Sequence, residues 1–563
     1  MKPIRQQIAW VAAALCIPGL IIAVGRADDA PRKPTFEYSR PKGPKQVVAP
    51  LPKEPPIPPT IRFGNFKPFN EIDNFILATL QERKARPKPV CNDWDFLRRS
   101  SLDLVGVIPT AADVEKFLAW DAKTRRAKWI DHLLDQAQYA DYWTSFWGDL
   151  LRERGRIRGV PVNAFKNYIH DNLKKNRPYD EWVREMITAE GRPEDSPAAA
   201  FFLRDEGDAK TLTVTVTQTF LGIQLKCAEC HDHPFDWWLE KDFHGMVDFW
   251  RGTRRQAYER DTVVRRGRTQ MVPRFEVVTN ERRANGTFIT GETSDKGRGR
   301  EALADLLTRP DNPYFARVAV NRLWEKLMGV GLVNPVDNFS ARNPPSHPEL
   351  LDWLALEFIE HNYDLKHILK LIANSRTYQQ TSVENLTRTK VIKAPDTEDE
   401  TEAGALFDGM MLRRMSAEQV HDSILVATGR YLPEDRRFTP SIEVTYPPDP
   451  RSFLRVFGVT DRETLIERNE TGSIQQALTL LNGQLINEAV KMHPAHPVRH
   501  WQKDRQFSAV QMVDAIFVQI LTRPPTPEER ELALAFIAGG QRDTLWEDLQ
   551  WSLLNCREFQ FIR

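Results

Sequence analysis

Two cysteines and a histidine form the most chemically specific pattern in this sequence. Cys227 and Cys230 are separated by two residues, and His231 follows directly. Two thiols at this spacing can both form thioether bonds to the vinyl groups of one porphyrin, and the adjacent histidine can then present its imidazole to the iron. The pattern therefore predicts covalent attachment of one haem c, with His231 as an axial ligand.

The sequence leaves the other axial position of such an iron open. His233, His244, Met246 and Met271 follow the motif, and their spacing selects none of them as the sixth ligand. His233 lies too close to His231 to reach the opposite face of the same iron easily. A six-coordinate iron would favour electron transfer, whereas an open position would allow a small molecule to bind or be activated, so this choice separates a carrier from an enzyme.

The cysteine pair has two other chemical interpretations. Cys227 and Cys230, with one histidine among His231, His233 and His244, are also a ligand set for zinc or copper. A disulfide between the two cysteines could instead serve redox exchange or only stabilise the local structure. The three alternatives differ in metal content and in the state of the thiols.

The segment after the motif is both acidic and aromatic. Asp232 and Asp236 could accept a hydrogen bond from an imidazole N–H and so tune the basicity of a ligand. Trp237 and Trp238 could form the wall of a porphyrin pocket, or they could pack in the core behind a turn at Pro234. Exposed tryptophans in an open groove would instead favour a polysaccharide-binding surface.

Composition limits the class of protein. The chain of 563 residues has 78 basic and 77 acidic side chains, so it lacks the strong positive charge of a general nucleic-acid binder, and we expect no nucleic-acid partner. Its hydrophobic content of 41% supports real cores. A chain of this length is expected to form more than one domain.

The N-terminal residues 1–27 have the three parts of an export signal. Lys2 and Arg5 precede an apolar stretch from Ile8 to Val24, and Gly25 and Ala27 are small residues suited to a cleavage site. We expect cleavage after Ala27 and a location in the periplasm or at the cell surface, with a retained N-terminal membrane anchor as the alternative. Export agrees with covalent haem attachment, which takes place outside the cytoplasm.

Cys91 and Cys556 are the other cysteines of the exported chain, and most of the sequence separates them. In an oxidising compartment they could pair, or they could lie buried as small apolar residues. We expect burial.

Apolar residues recur at helical spacing along most of the chain, which predicts a mainly α fold. We expect a proline-rich tether at 28–67, a helical cytochrome-like domain at 68–250 that carries the motif, a basic β-rich insert at 251–300, and a second helical domain at 301–563. Two segments of the insert, Thr262–Val264 and Phe275–Val278, have the composition of short strands. Ser416 and Gln419 predict a helix that begins with a capping box.

Two features of the second half could carry chemistry of their own. Ser346 and His347 lie in a proline-rich loop, but no Gly-x-Ser-x-Gly sequence accompanies them, so we expect Ser346 to cap the helix that begins at Pro348. Arg317, Asn321 and Arg322 lie on one predicted helix and could bind an anion, although paired burial against acidic neighbours is the more frequent arrangement.

Several stretches resemble the planctomycete-specific cytochrome domain, an exported family without a known reaction. These stretches are Ser101–Thr110, Arg177–Asp180 and Cys227–Asp236. The second half resembles the planctomycete-specific domain that usually follows it, on the stretches Asn312–Arg317, Asn321–Trp324, Asn343–Leu354 and Asn374–Gln379. Many relatives carry a further N-terminal cytochrome domain, but here that region is the proline-rich segment, so we expect a single haem.

Two functions from different classes follow. The resemblance and the motif imply an exported c-type cytochrome-like protein that takes part in electron transfer and needs a redox partner protein. The alternative is a non-catalytic envelope module, structural or polysaccharide-binding, in which Cys227, Cys230 and His231 hold a metal or a disulfide.

Overall fold

The protein is mainly α, as the sequence predicts. The structure is a computed structural model that describes residues 45, 47–61, 63–64, 66–265, 268–280, 286–294, 299–383, 388–390, 402–431, 438–463, 472–503, 507–540 and 543–563. Strands within these residues form only two-stranded sheets. The predicted export signal lies outside the described residues. Across the described part of the chain, no helix has the length and apolar character needed to span a bilayer.

The helices before the β-rich segment are short, and local side chains cap some of them. In order they are α1 Glu71–Glu82, α2 Asp93–Val105, α3 Ala111–Ala119, α4 Arg125–Leu134, α5 Ala137–Leu150, α6 Ala164–Lys174, α7 Tyr179–Thr188, α8 Ala200–Arg204, α9 Ala209–Phe220 and α10 Glu240–Val247. Thr110 and Asp113 form a capping box that starts α3, and the Asn92 side chain accepts the Asp95 N–H at the start of α2.

Two helices in this half differ in how well local patterns define them. Apolar spacing predicts a helix from Trp143 to Arg154, but α5 spans Ala137–Leu150, because Tyr139 and Ala140 extend the same buried face. The stretch Thr211–Thr217 alternates like a strand, whereas Phe220 and Ile223 continue a helical step and favour a helix. The structure confirms the helix as α9, and the Asp208 side chain caps it by accepting the Thr211 N–H.

A β-hairpin occupies the segment predicted to be β-rich. β1, Thr253–Arg265, pairs antiparallel with β2, Arg268–Thr279, and a bulge lies near Ala257. The strands are longer than the sequence predicted. A bridge between Gly191 and Val277 joins β2 to the segment after α7.

The second half is helical with small sheets. Its helices are α11 Gly299–Thr308, α12 Phe315–Met328, α13 Pro348–Glu360, α14 Leu365–Asn374, α15 Ala417–Ala427, α16 Phe453–Val456, α17 Ile474–Asn482, α18 Gln484–Ala489, α19 Pro497–Lys503, α20 Ala509–Leu521, α21 Pro527–Ile537 and α22 Asp543–Asn555. Its strands are β3 Ser382–Val383, β4 Arg388–Lys390, β5 Glu402–Ala405, β6 Met410–Met411, β7 Arg413–Arg414 and β8 Phe561–Ile562. The predicted capping box of Ser416 and Gln419 starts α15.

Apolar residues at helical spacing predict one helix from Gln475 to Val490, but the structure divides this stretch in two. The break falls at Gly483, whose backbone is extended, with ψ near 150°. A Cβ at this position would lie 2.2 Å from the Thr479 carbonyl oxygen, so only glycine allows the chain to turn so tightly.

The buried apolar side chains form two clusters. The first runs from Ile72 to Met410 and includes the helices on both sides of the hairpin. The second runs from Met415 to Ile562 and takes in Leu102 from α2. Because the first cluster contains residues from both sides of the hairpin, it does not separate the chain at 250 or 301. The domain boundaries at these positions therefore stay a prediction.

The described part of the proline-rich segment has no helix or strand, yet it contacts the folded body. The Val48 N–H lies 3.2 Å from the Tyr314 hydroxyl, and Arg317 Nη1 donates to the Ala49 carbonyl at 2.6 Å. Lys45 forms an ion pair of 3.1 Å with Asp242 on α10. The proline-rich segment therefore lies next to the residues that follow the Cys-His motif.

Candidate functional site

The two cysteines of the motif lie on one turn at the protein surface. A short 3-10 helix, Lys226–Glu229, follows α9. Its residue Ala228 is fully buried and anchors the turn in the core. Cys227 and Cys230 are exposed, and both thiols are free. Their spacing in this turn leaves both sulfurs accessible from solvent, which covalent attachment of an external group requires.

The imidazole of His231 is exposed and oriented by the backbone of the next residue, Asp232. Its Nδ1 lies 2.7 Å from the Asp232 carbonyl oxygen, so the Nδ1–H donates to that oxygen in the neutral ring. The proton position leaves the Nε2 lone pair free for a metal ion. The Asp232 carboxylate in turn accepts the Glu240 N–H at 3.0 Å, which ties this turn to the start of α10.

His233 is partly buried and its contacts differ from those of His231. Its Nδ1 accepts the Phe235 N–H at 3.2 Å, and its backbone N–H donates to the Trp238 carbonyl at 2.8 Å. Burial lowers the pKa of His233, and the nearby Asp236 only partly opposes this shift. His233 therefore holds the shape of the turn in its neutral form.

Asp236 is a buried carboxylate behind the motif. It accepts the Trp237 N–H at 2.8 Å and a hydrogen bond from Ser340. Burial raises its pKa, and these hydrogen bonds oppose the shift. Because Ser340 belongs to the second half of the chain, this contact connects the motif segment to the region between α12 and α13.

The two tryptophans after the motif are core residues. Trp237 is 6% exposed and Trp238 is 2% exposed, so neither lines an open groove of the kind that polysaccharide binding would need. The Lys45 ammonium lies over the Trp238 ring, 4.8 Å from its centroid. Phe235 is the exposed aromatic of this segment, at 50%.

The other residues considered as sixth ligands lie in different surroundings. His244 lies on α10 with its Nε2 3.6 Å from a Glu240 oxygen. Met246 is 1% exposed and packs in the first cluster, whereas Met271 is 61% exposed on β2. The structure thus brings together Cys227, Cys230 and His231 on one turn, and it places the sulfur of Met246 in the core.

Cys91 and Cys556 are buried, as predicted, at 3% and 5% exposure, and neither forms a disulfide. Burial raises the pKa of the Cys91 thiol, although Arg99 and Arg126 oppose the shift. Neither sulfur is a reactive group at the surface.

The prediction that Ser346 caps a helix is wrong. The N-cap of α13 is His347, without a side-chain cap, and the Ser346 hydroxyl lies 3.0 Å from His347 Nδ1 instead. The His347 Nε2 is buried with no hydrogen-bond partner among the described residues, and burial lowers the pKa of this histidine to about 4. Because that nitrogen has no carboxylate to orient the ring, the pair does not form a hydrolase dyad.

The two arginines of α12 serve the packing of the fold. Arg317 Nε lies 2.6 Å from Asp352 Oδ1, and both Arg317 and Arg322 are nearly inaccessible. Arg322 donates to the carbonyls of Gln218 and Thr219 at the end of α9. Burial is therefore confirmed for both residues.

A set of metal-type side chains in the second half was not predicted from the sequence. Among the described residues, only Glu357, His361 and His367 form a group of three such residues whose donor atoms lie within 4.8 Å of one another. The sequence did contain a signal for this group. His361 lies four residues after Glu357 at the end of a predicted helix, and His367 follows six residues later.

Comparison with known proteins gives two adjoining matches. Residues 71–255 match the family model PSCyt2, a protein of unknown function (DUF1549), and residues 299–537 match PSD1, a protein of unknown function (DUF1553). Most of the hairpin β1–β2 lies between the two matches. No curated protein and no solved structure matches the chain. The resemblance seen in the sequence is confirmed, and the chain belongs to the planctomycete family in which a PSCyt2 cytochrome domain is followed by a PSD1 domain.

Proposed function

We propose that this protein is an exported c-type cytochrome-like protein that binds one haem covalently and takes part in electron transfer. The observation that carries the proposal is the turn at Cys227–His231, with two exposed free thiols and an exposed imidazole whose Nδ1 is already engaged. This donor set fits haem c, because two thiols three residues apart can bond one porphyrin and the adjacent imidazole can bind its iron.

Attachment needs no oxidant. Cys227 and Cys230 would each hold the porphyrin through one thioether, formed by addition of the thiol S–H across a vinyl group. In the neutral ring, the hydrogen bond from His231 Nδ1 to the Asp232 carbonyl places the proton on Nδ1, which leaves the Nε2 lone pair for the iron and makes it a stronger donor. When bound, the haem would supply one-electron redox chemistry, and a redox partner protein would exchange the electron.

The first experiment is the intact mass and visible spectrum of the protein made together with haem c maturation machinery. We expect the added mass of one haem, and we expect it to disappear when Cys227 and Cys230 are both changed to Ala. Cys91→Ala and Cys556→Ala make the same change at buried thiols outside the motif, so they should retain the haem.

A colourless wild-type protein at apo mass would contradict the haem proposal. Metal analysis and thiol titration of that protein would then decide between a zinc or copper site and a Cys227–Cys230 disulfide. Export is tested separately by the N-terminal sequence of the mature protein, which we expect to begin after Ala27.

A further inference from the structure

A second cluster of potential metal ligands lies where α13 meets α14. Glu357 lies in the last turn of α13, His361 directly follows that helix, and His367 lies in the first turn of α14. One donor atom from each residue lies within 4.8 Å of the other two. We propose that these three residues form a binding site for a divalent transition metal, and that zinc is the cation they fit best.

The spacing of the donor atoms matches the needs of a tetrahedral ion. His367 Nε2 lies 3.0 Å from Glu357 Oε1, and His361 Nδ1 lies 3.4 Å from the same oxygen. Zinc bonds to nitrogen and oxygen are about 2.0–2.2 Å long, so two donors on one tetrahedral zinc are separated by roughly 3.3–3.5 Å. Both distances lie within a few tenths of an ångström of this range. To share one ion the two stacked imidazoles must also turn toward it, and His361 Nδ1 must leave the Glu357 carbonyl oxygen, 2.9 Å away.

The two imidazoles are in direct contact. Their rings are stacked with centroids 3.7 Å apart and planes inclined by 11°. In the metal-free cluster the His367 Nε2–H donates to the Glu357 carboxylate, and zinc would take the place of that proton.

The backbone between the histidines is held in place without a metal. Asn362 and Tyr363 both have left-handed φ angles, 54° and 53°, which non-glycine residues rarely adopt. Burial of the Tyr363 ring and a hydrogen bond of 2.7 Å from its N–H to the Phe358 carbonyl hold this turn. Asp364 then caps α14 by accepting the His367 N–H at 3.0 Å. The backbone that carries the ligands is therefore preorganised, which favours metal affinity.

The cluster is also accessible. The side chains of Glu357, His361 and His367 are 20%, 43% and 23% exposed. An ion can enter from solvent, and three protein ligands leave a fourth position for water or for a ligand from outside the chain. Two neutral imidazoles and one carboxylate leave a net charge of about +1 on a bound divalent ion, which suits a half-exposed site.

The test uses the full chain with Cys227→Ser and Cys230→Ser, so that the motif thiols take up neither haem nor zinc. Metal-free protein is titrated with zinc chloride by isothermal calorimetry. We expect one zinc per chain, with an affinity that falls at least about tenfold in His361→Ala and in His367→Ala, because loss of an outer-shell partner alone costs 10- to 100-fold. Circular dichroism checks that each variant is folded before metal is added.

His170→Ala is the matched control. His170 Nε2 lies 3.0 Å from Asp141 Oδ1 and its side chain is 27% exposed, close to the values for His367, but it belongs to no three-residue group among the described side chains. We expect its zinc binding to equal that of the parent. Zinc should also raise the melting temperature of the parent and of His170→Ala but not that of the other two variants.

Two results would overturn the proposal. One is a parent protein that binds no zinc, and the other is zinc binding that persists unchanged in both His361→Ala and His367→Ala. In either case the cluster is only a hydrogen-bonded contact between α13 and α14. Because the motif cysteines are replaced throughout, the outcome is independent of whether the wild-type protein carries haem.

Discussion

Arg462 and Glu153 form an ion pair that is almost completely excluded from solvent. Arg462 Nη1 lies 2.6 Å from Glu153 Oε2, and the two side chains are only 2% and 1% exposed. Glu153 follows α5, whose buried residues belong to the first cluster, whereas Arg462 lies beyond α16, whose Leu454 belongs to the second. Burial raises the pKa of Glu153 although Arg462 opposes the shift, so the carboxylate depends on this partner to remain charged.

We therefore expect Arg462→Met to be strongly destabilising. Removal of one partner from a buried ion pair leaves the other charge without compensation, which typically costs about 3–5 kcal/mol. Arg462 also bonds Asp149 at 2.7 Å, so the loss should lie toward the upper end of that range. Urea unfolding followed by circular dichroism at pH 7 measures the free energy of unfolding directly.

Arg154→Met is the control for this substitution. Arg154 Nη2 lies 2.6 Å from Glu463 Oε1, the same separation as in the buried pair, but its side chain is 29% exposed and that of Glu463 is 51% exposed. Exposed ion pairs contribute about 0–1 kcal/mol. If both substitutions lowered the free energy of unfolding equally, burial would not make the Arg462–Glu153 pair more important for stability than the exposed pair.

The helices were predictable because their signals are local. Apolar residues at helical spacing and the side chains at the helix starts, such as Thr110 before α3 and Ser416 before α15, depend only on residues a few positions away. The split at Gly483 was missed because the pattern of apolar residues continues across it, whereas the break depends on a close approach to the Thr479 carbonyl.

The candidate sites also differ in whether their signals are local in the sequence. The motif at Cys227, Cys230 and His231 is contiguous, so the sequence alone located it. The burial of Trp237 and Trp238 depends on what packs over them, and Lys45 comes from a segment far away in the chain. The Glu357 cluster required the turn that brings α13 and α14 together, which no local pattern specified.

The two histidines of the motif segment are expected to differ in their effect on a haem-loaded protein. His231→Gln should abolish haem incorporation or change the visible spectrum, because the free Nε2 of His231 is the proposed axial donor. His233→Gln should keep both the covalent haem and the wild-type spectrum, since His233 Nδ1 accepts the Phe235 N–H and the proton of the neutral ring is therefore on Nε2. The visible spectrum of each variant is recorded in the oxidised and reduced states. If only the His233 variant altered the spectrum, His233 and not His231 would be the axial ligand.

Gly106 is expected to be intolerant of a side chain. It ends α2 with φ at +75°, and a Cβ there would lie 2.4 Å from Cδ2 of the buried Tyr142 ring. Gly106→Ala combines the strain of a left-handed alanine with this clash, so we expect a loss of about 2–4 kcal/mol in unfolding free energy. Gly191 has φ at +82°, and a Cβ there would have no atom within 4 Å, so Gly191→Ala should cost only about 1 kcal/mol. Urea unfolding of both variants separates the clash from the backbone strain, and equal costs would exclude the clash.

His347 is expected to contribute to the pH dependence of stability. Burial lowers its pKa to about 4 in the folded protein, against about 6.5 in an unfolded chain. Between these values the unfolded chain binds a proton that the folded protein does not, so the stability present above pH 6.5 is lost as the pH falls toward 4. The full loss from this one group is about 3 kcal/mol. Gln does not titrate, so in His347→Gln the free energy of unfolding should fall less steeply as the pH is lowered from 6.5 to 4. His500→Gln is the control, because it removes an exposed histidine. Parallel pH profiles for wild type and His347→Gln would show that the buried ring does not resist protonation.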